Sequence, residues 1–360
     1  VPSSAKRLLI GSTESYSGKS AAVLGIGLQL QATGLDIAFG KPLGNFINGE
    51  VQDPDLEFIV ETLRLPQSRF YPPLVSLTET TITQCLEGNS SPLNGHGLDR
   101  FNDSQGETLL LLEGPGNLTE GMLLDLSLCQ IASAVDAPVL LVTRYDSIAL
   151  VDRLLAAKAQ LGDHLLGVVI NDIPETATAT VSQLAQPFLE RHGIPVLALL
   201  PRSPIMRSIT VREIVSRLHA EVLCCSDRLD LMVETLAIGA MNVNAALRYF
   251  RKGLNMAVVT GGDRTDIQFA ALETSTQCLV LTGQVPPSEA ILERAKDLEV
   301  PILAVDSDTL STVERIDELF VQVRLHEPVK VKCAQDLVAE HFDLDRLLDL
   351  LDIKLPVSAT

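Results

Sequence analysis

Gly18-Lys19-Ser20 closes a loop of small and polar residues that opens at Ser12-Thr13-Glu14. The loop lies between two apolar runs, Leu8-Leu9-Ile10 and Ala21-Ala22-Val23-Leu24-Gly25-Ile26. A strand, a loop and a helix in that order aim successive backbone N–H groups and the positive end of the helix dipole at one anion. In such a phosphate-binding loop, Lys19 reaches the outer phosphates and the Ser20 hydroxyl ligates Mg²⁺. Thr13 stands where the GxxxxGK[ST] pattern places its first glycine.

Two more residues could share this chemistry. Lys41, in Gly40-Lys41-Pro42, follows the apolar stretch Leu35 to Phe39, which reads as the second strand. Ligands of parallel α/β sheets sit at the carboxyl ends of strands, so Lys41 is placed either in the crevice of Lys19 or as an ordinary surface lysine. Thr108-Leu109-Leu110-Leu111-Leu112 reads as a central strand buried on both faces, and it ends in Glu113-Gly114-Pro115-Gly116. A carboxylate there is costly unless paired or metal-bound, which makes Glu113 a candidate Mg²⁺-associated acid. Asp55 opens a helical segment whose acidic first turn is explained equally by capping.

Further strands are expected at Pro138–Thr143, Leu165–Ile170 and Ile194–Leu200, with helical spacing between them. That alternation predicts a doubly wound parallel sheet. Residues 87–106 carry turn chemistry without periodicity and read as a long surface loop that could act as a lid. From about Ser208 the pattern restarts. It predicts helix Val211–Leu218, strand Glu221–Cys224, a helix over Arg228–Ile238 and a helix to Phe250, then strand Asn255–Val259. Gly261-Gly262-Asp263-Arg264 follows that strand. The turn could cradle a second anion with Arg264 assisting, or be a capped βα connection in which Asp263 caps and Asp266 completes a capping box. Two strand–helix units come next, and an acidic amphipathic helix, Gln335–Leu351, presents a Leu/Val docking stripe.

The first 200 or so residues resemble the dethiobiotin synthetase-like ATPases, on Thr13, Glu14, Gly18, Lys19 and Ser20, then Gly40-Lys41-Pro42, Asp55, Glu113-Gly114-Pro115-Gly116 and Asn171. The resemblance implies Mg-ATP as cofactor, held by the loop, with Ser20, Asp55 and Glu113 on Mg²⁺. It also implies that Lys41 stabilises transferring charge and that Asn171 reads adenine. Ser12 and Asn117 replace two glycines of that pattern, and Leu43-Gly44-Asn45-Phe46 lacks the serine that contacts the diamino acid substrate. Residues 208–330 resemble the DRTGG domain. The tandem is similar to the N-terminal half of long bacterial phosphotransacetylases, which continue into an acetyltransferase domain, whereas this sequence stops at Thr360. Phosphate acetyltransferase activity is therefore not expected.

Bulk properties set the remaining bounds. With 360 residues, two domains are expected, at 1–207 and 208–354: a P-loop α/β domain and a smaller α/β DRTGG-like domain. Twenty-eight Lys and Arg against 46 Asp and Glu give a net charge of -18, which repels nucleic acid and anionic membranes. No apolar run approaches the roughly 20 residues of a membrane span, and the N-terminus lacks a signal-peptide core. Six cysteines without CxxC spacing read as free thiols of a cytoplasmic protein. The expectation is a nucleotide-sensing regulator, a homo-oligomer that engages a protein partner or second ligand. An ATP-dependent ligase that phosphorylates a carboxylate and a nucleotide-free adaptor are the alternatives.

Overall fold

The computed structural model describes residues 6–44, 54–88, 97–102, 109–321, 323 and 325–355. It divides into unit 1 (Val1–Arg202 with Leu325–Thr360) and unit 2 (Ser203–Arg324).

Unit 1 is built on seven strands: β1 (Lys6–Ser12), β2 (Ile37–Gly40), β3 (Phe70–Tyr71), β4 (Leu109–Glu113), β5 (Val139–Arg144), β6 (Leu165–Ile173) and β7 (Val196–Pro201). They pair in parallel in the order β3-β2-β4-β1-β5-β6-β7. The chain winds to one side of β1 and then crosses to the other, so the carboxyl end of β1 lies at the switch point. Alternation along the strands feeds two cores. Leu9, Leu110 and Leu112 pack on one face, and Leu8, Ile10, Leu109 and Leu111 on the other. Helix α1 (Lys19–Ala32) follows the phosphate-loop sequence, and α2 (Pro54–Thr62) begins beside the acidic turn. On the opposite face lie α3 (Leu128–Ala134), opened by a Ser127/Gln130 capping box, and α4 (Leu150–Leu161). Helix α5 (Glu175–Thr180) runs through a π-turn, Val181–Ala185, into Gln186–Arg191.

Unit 2 begins with α6 (Val211–Leu218), β8 (Glu221–Cys224), β9 (Thr235–Ile238), α7 (Val243–Phe250), β10 (Met256–Gly261) and α8 (Thr265–Leu272). It continues through β11 (Thr276–Thr282), α9 (Glu289–Asp297), β12 (Ile302–Ala304) and α10 (Thr309–Val321). The five strands run β8-β12-β11-β10-β9, with β8 antiparallel to the rest. Val258, Leu279 and Leu281 feed one core, and Ala257, Val259, Cys278 and Val280 the other.

Three expectations change. Arg228–Ile238 is not a helix: Met232–Val233 and β9 are strands, and β9 hydrogen-bonds along β10. Leu229, Met232, Val233 and Leu236 have helical spacing, but Val, Thr and Ile suit a pleated edge and the sheet pairing decides. Asp263 does not cap α8: the N-cap is Arg264 without a side-chain cap, and Asp266 meets the Arg264 Nε instead of closing a capping box. Segment 335–351 is two helices, α11 (Pro328–His341) and α12 (Leu344–Leu350), broken at Phe342 in extended conformation. Both belong to unit 1, where Val338, Leu347 and Leu348 enter the core beneath α1. The docking stripe thus covers the phosphate-loop helix. Gly25 makes that approach possible, because a Cβ there would lie 2.6 Å from Val338 Cγ2 and 2.9 Å from the Ala334 carbonyl oxygen.

The loop expected over 87–106 is described only in part. Residues 89–96 and 103–108 of that loop lie outside the described residues, as do Asn45, Phe46 and Asp53. The described stretch 97–102 is anchored: Phe101 is fully buried, and the Arg7 guanidinium donates to the carbonyls of Phe101, Asn102 and Val135. None of the six cysteines forms a disulfide, as expected. Among the described residues no helix is long and apolar enough to cross a membrane.

Candidate nucleotide site

The turn from β1 into α1 is shaped by Gly18, whose φ of +92° is strained for any residue with a Cβ. Space is closed there too, since a Cβ on Gly18 would lie 2.2 Å from Asn171 Nδ2. Asn171, in β6, donates that amide to the Ser17 carbonyl oxygen at 2.9 Å and so holds the loop from its far side. Glu14 ties the near side, its carboxylate accepting from the Arg144 backbone N–H at 2.6 Å. The Thr13 hydroxyl lies beside the Glu14 carboxylate and 2.8 Å from that of Thr143. Ser12 donates to the Gly116 carbonyl oxygen at 2.8 Å, tying the loop to the end of β4.

The charges converge on Glu113. Its side chain is 3% exposed, with the carboxylate 3.5 Å from Lys41 Nζ and 3.8 Å from Lys19 Nζ. Ser20 Oγ donates to it at 3.3 Å. Lys41 is as buried as Glu113, so it lines the crevice and is not a surface lysine. Two buried ammonium groups and one carboxylate thus meet at the mouth of the loop, and each ammonium is a charge-assisted donor of the kind that binds phosphate oxygens. The Lys19 ammonium donates to the carbonyls of Gly114 and Pro115, the kind of oxygen that a phosphate would supply. Ser17 Oγ is buried and has no hydrogen-bond partner among the described residues. A buried hydroxyl of that kind inside an anion loop is an unused donor, a group that native structures leave unsatisfied at a cost.

The set Ser20, Glu113 and Asp55 consists of hard oxygen donors of the kind Mg²⁺ takes. Ser20 and Glu113 are in hydrogen-bond contact. Asp55, in the first turn of α2, lies 2.9 Å from His326 Nε2, and the His326 ring packs against Phe58 at 5.2 Å. Among the described residues no group of three or more His, Cys, Asp and Glu could hold a metal, so a cation here depends on the serine hydroxyl and on ligand oxygens.

Three participants were missed from sequence: Ser17, His326 and Asp172. Asp172 follows Asn171 but bears no motif, and its role comes from Arg144 and Arg202, which only the folded sheet edge brings to it. In unit 2 the Gly261–Arg264 turn is stitched from within. Gln268 Nε2 donates to the carbonyls of Gly261 and Gly262 at 3.0 Å, and Arg264 Nη2 donates to Met241 O at 2.9 Å.

Comparison with known proteins agrees with both halves of this architecture. Residues 6–210 match the AAA_26 model, an AAA domain, and residues 213–319 match the DRTGG domain. The phosphate acetyltransferase of Synechocystis sp. is 29% identical over 96% of this chain and 51% of its own length. That of Nitratidesulfovibrio vulgaris is 26% identical over 94% of this chain and 51% of its length. The chain thus spans about half the length of the curated relatives it matches. Among solved structures, MinD of Aquifex aeolicus aligns over 56% of this chain and 84% of its own, at 15% identity and a TM-score of 0.36. The CBS and DRTGG regulatory region of Clostridium perfringens pyrophosphatase, complexed with diadenosine tetraphosphate, aligns over 52% and 72% at 18% identity and a TM-score of 0.27. With its parallel sheet, its phosphate loop and its second α/β unit, the chain belongs to the AAA_26 family, here a dethiobiotin synthetase-like P-loop domain joined to a DRTGG domain and homologous to the N-terminal region of phosphate acetyltransferases.

Proposed function

We propose that this chain is a Mg-ATP-dependent regulatory protein: unit 1 binds the nucleotide, and unit 2 engages a partner or second ligand. The observation that carries the reading is the convergence of Lys19, Lys41 and Ser20 on the buried Glu113, beside the unsatisfied hydroxyl of Ser17. Thr13, Glu14, Gly18, Lys19, Ser20 and Asn171 hold the nucleotide. Mg²⁺, held by Ser20 and Glu113 with Asp55, screens the phosphate charge. In unit 2 the second ligand is assigned to the turn Gly261, Gly262, Asp263 and Arg264, beneath which buried Gln268 keeps Oε1 without a hydrogen-bond partner among the described residues.

An ATP-dependent ligase is the second reading, and Lys41 favours it. A lysine 3.5 Å from Glu113 is where charge moving onto a transferred phosphoryl group is best stabilised. Phosphate release with Mg-ATP, and copurification of partners with and without ATP, separate the two. The regulator predicts almost no turnover and a partner whose retention depends on ATP. Steady turnover abolished by Lys41→Met would replace it with the ligase.

A further inference from the structure

A cluster outside the phosphate loop is built to receive a second oxyanion. Arg144 is the last residue of β5, Asp172 lies near the end of β6, and Arg202 follows β7 directly. Register places them side by side: Arg144 pairs with Asn171, and Ile173 with Pro201. Asp172 has a left-handed backbone, φ 60°, and its side chain is only 10% exposed. One carboxylate oxygen accepts from Arg144 Nε and the other from Arg202 Nε, each at 2.9 Å. Neither arginine makes a further side-chain hydrogen bond among the described residues, so both terminal NH₂ pairs are uncommitted. These side chains are 29% and 40% exposed. An arginine fork held by its Nε is pre-organised for a phosphate or carboxylate at its outer edge.

The neighbouring charges do not fill that role. Arg153 is engaged by Asp146 at 2.5 Å and lies 3.8 Å from Glu14, while its Nη2 donates to the Arg144 carbonyl oxygen. The cluster is wired to the phosphate loop through the Glu14 bond to Arg144 N–H and the Asn171 bond to Ser17 O. From β1 to β6 is two strand spacings, about 10 Å along the carboxyl edge. Asn171, assigned above to the nucleotide, lies on β6 in this direction from β1.

We propose that Arg144 and Arg202, positioned by Asp172, form an accessory phosphate site beside the nucleotide. It takes either a ribose phosphate of the nucleotide itself or a separate inorganic phosphate. The inference rests on nucleotide binding at the phosphate loop.

The test is calorimetric titration with three probes: ADP, ADP carrying a 2′- or 3′-phosphate, and ADP in the presence of inorganic phosphate. The wild type and the Arg144→Lys/Arg202→Lys double variant are compared; the lysines keep positive charge beside Asp172 and remove the forks. The wild type is expected to bind the ribose-phosphorylated ADP about tenfold tighter than ADP, or to gain the same factor from inorganic phosphate, and the double variant brings the ratio to about one. Which probe gains identifies the source. Arg202→Gln, in which Arg144 still pairs with Asp172, gives the same readout should the double variant unfold. A wild-type ratio of one for both probes with ADP bound overturns the accessory site alone, as does a ratio that survives the substitutions. Failure of ADP itself to bind overturns the nucleotide reading and this site with it.

Discussion

Glu113 is the residue on which the site balances, because the fold buries two lysine ammonium groups within 4 Å of its carboxylate. Glu113→Gln should cost about 3 kcal/mol of stability in urea unfolding, the penalty of removing one partner of a buried ion pair. Mg-ATP should recover more melting temperature in that variant than in the wild type, since phosphate oxygens replace the lost carboxylate; equal shifts would remove Glu113 from the anion site. A buried thiol behaves differently. Burial pushes Cys278 up to about 12 from its usual 9. An acid with a raised folded-state pKa stabilises the fold fully below its unfolded value and loses that contribution as pH rises, so the window here is about pH 9 to 12. Cys278 should resist thiol reagents at pH 8 until the chain unfolds, and Cys278→Ala should flatten the alkaline fall in stability, both measurable by reagent titration across a pH series. The lysines, serine and glutamate of the site were legible because a phosphate loop and a buried strand end impose local patterns. Ser17 and His326 were not, since an unsatisfied hydroxyl and a contact with Asp55 from a distant segment leave no local signature.

At the scale of elements, α1 depends on the chain's last two helices as much as on the sheet. Gly25→Val would drive side-chain atoms into Val338 and the Ala334 carbonyl. It should cost about 2 kcal/mol by overpacking and release α11 and α12 to limited proteolysis, seen as early cleavage within 325–355 while unit 2 stays intact. Unchanged protection of that segment would contradict the packing. The Glu190–Arg346 pair, with two contacts of 2.7 and 2.8 Å, fastens α12 on the neighbouring side, and the guanidinium holds the Glu190 carboxyl below its usual range. That contribution is present above the ordinary carboxylate range and is lost as pH falls through the lowered value. The parallel strands of unit 1 were legible because a short continuous apolar run that ends in glycine and charge suits a strand buried on both faces and little else. The stretch 228–238 was not, because its spacing fits a helix and a strand equally and only pairing with β10 decides. The destination of α11 and α12 was hidden for the same reason: an amphipathic stripe announces a partner surface and does not name it.

At the scale of the molecule, the chain leaves unit 1 after Arg202, builds a second sheet with two cores of its own, and returns at Leu325 to cover the phosphate-loop helix. The return places His326 against Asp55, so the segment that follows unit 2 contacts the acid proposed for Mg²⁺. A regulator needs such a physical connection, because a ligand shifts an equilibrium only through contacts that differ between two states. The central claim is that the phosphate loop binds Mg-ATP, and the direct measurement is titration calorimetry of Mg-ATP into the wild type and Lys19→Ala. Saturable binding to one site in the wild type, weakened at least about a hundredfold in Lys19→Ala by loss of a charge-assisted contact to phosphate, is the predicted result. No binding heat in either protein, or equal affinity in both, would contradict it.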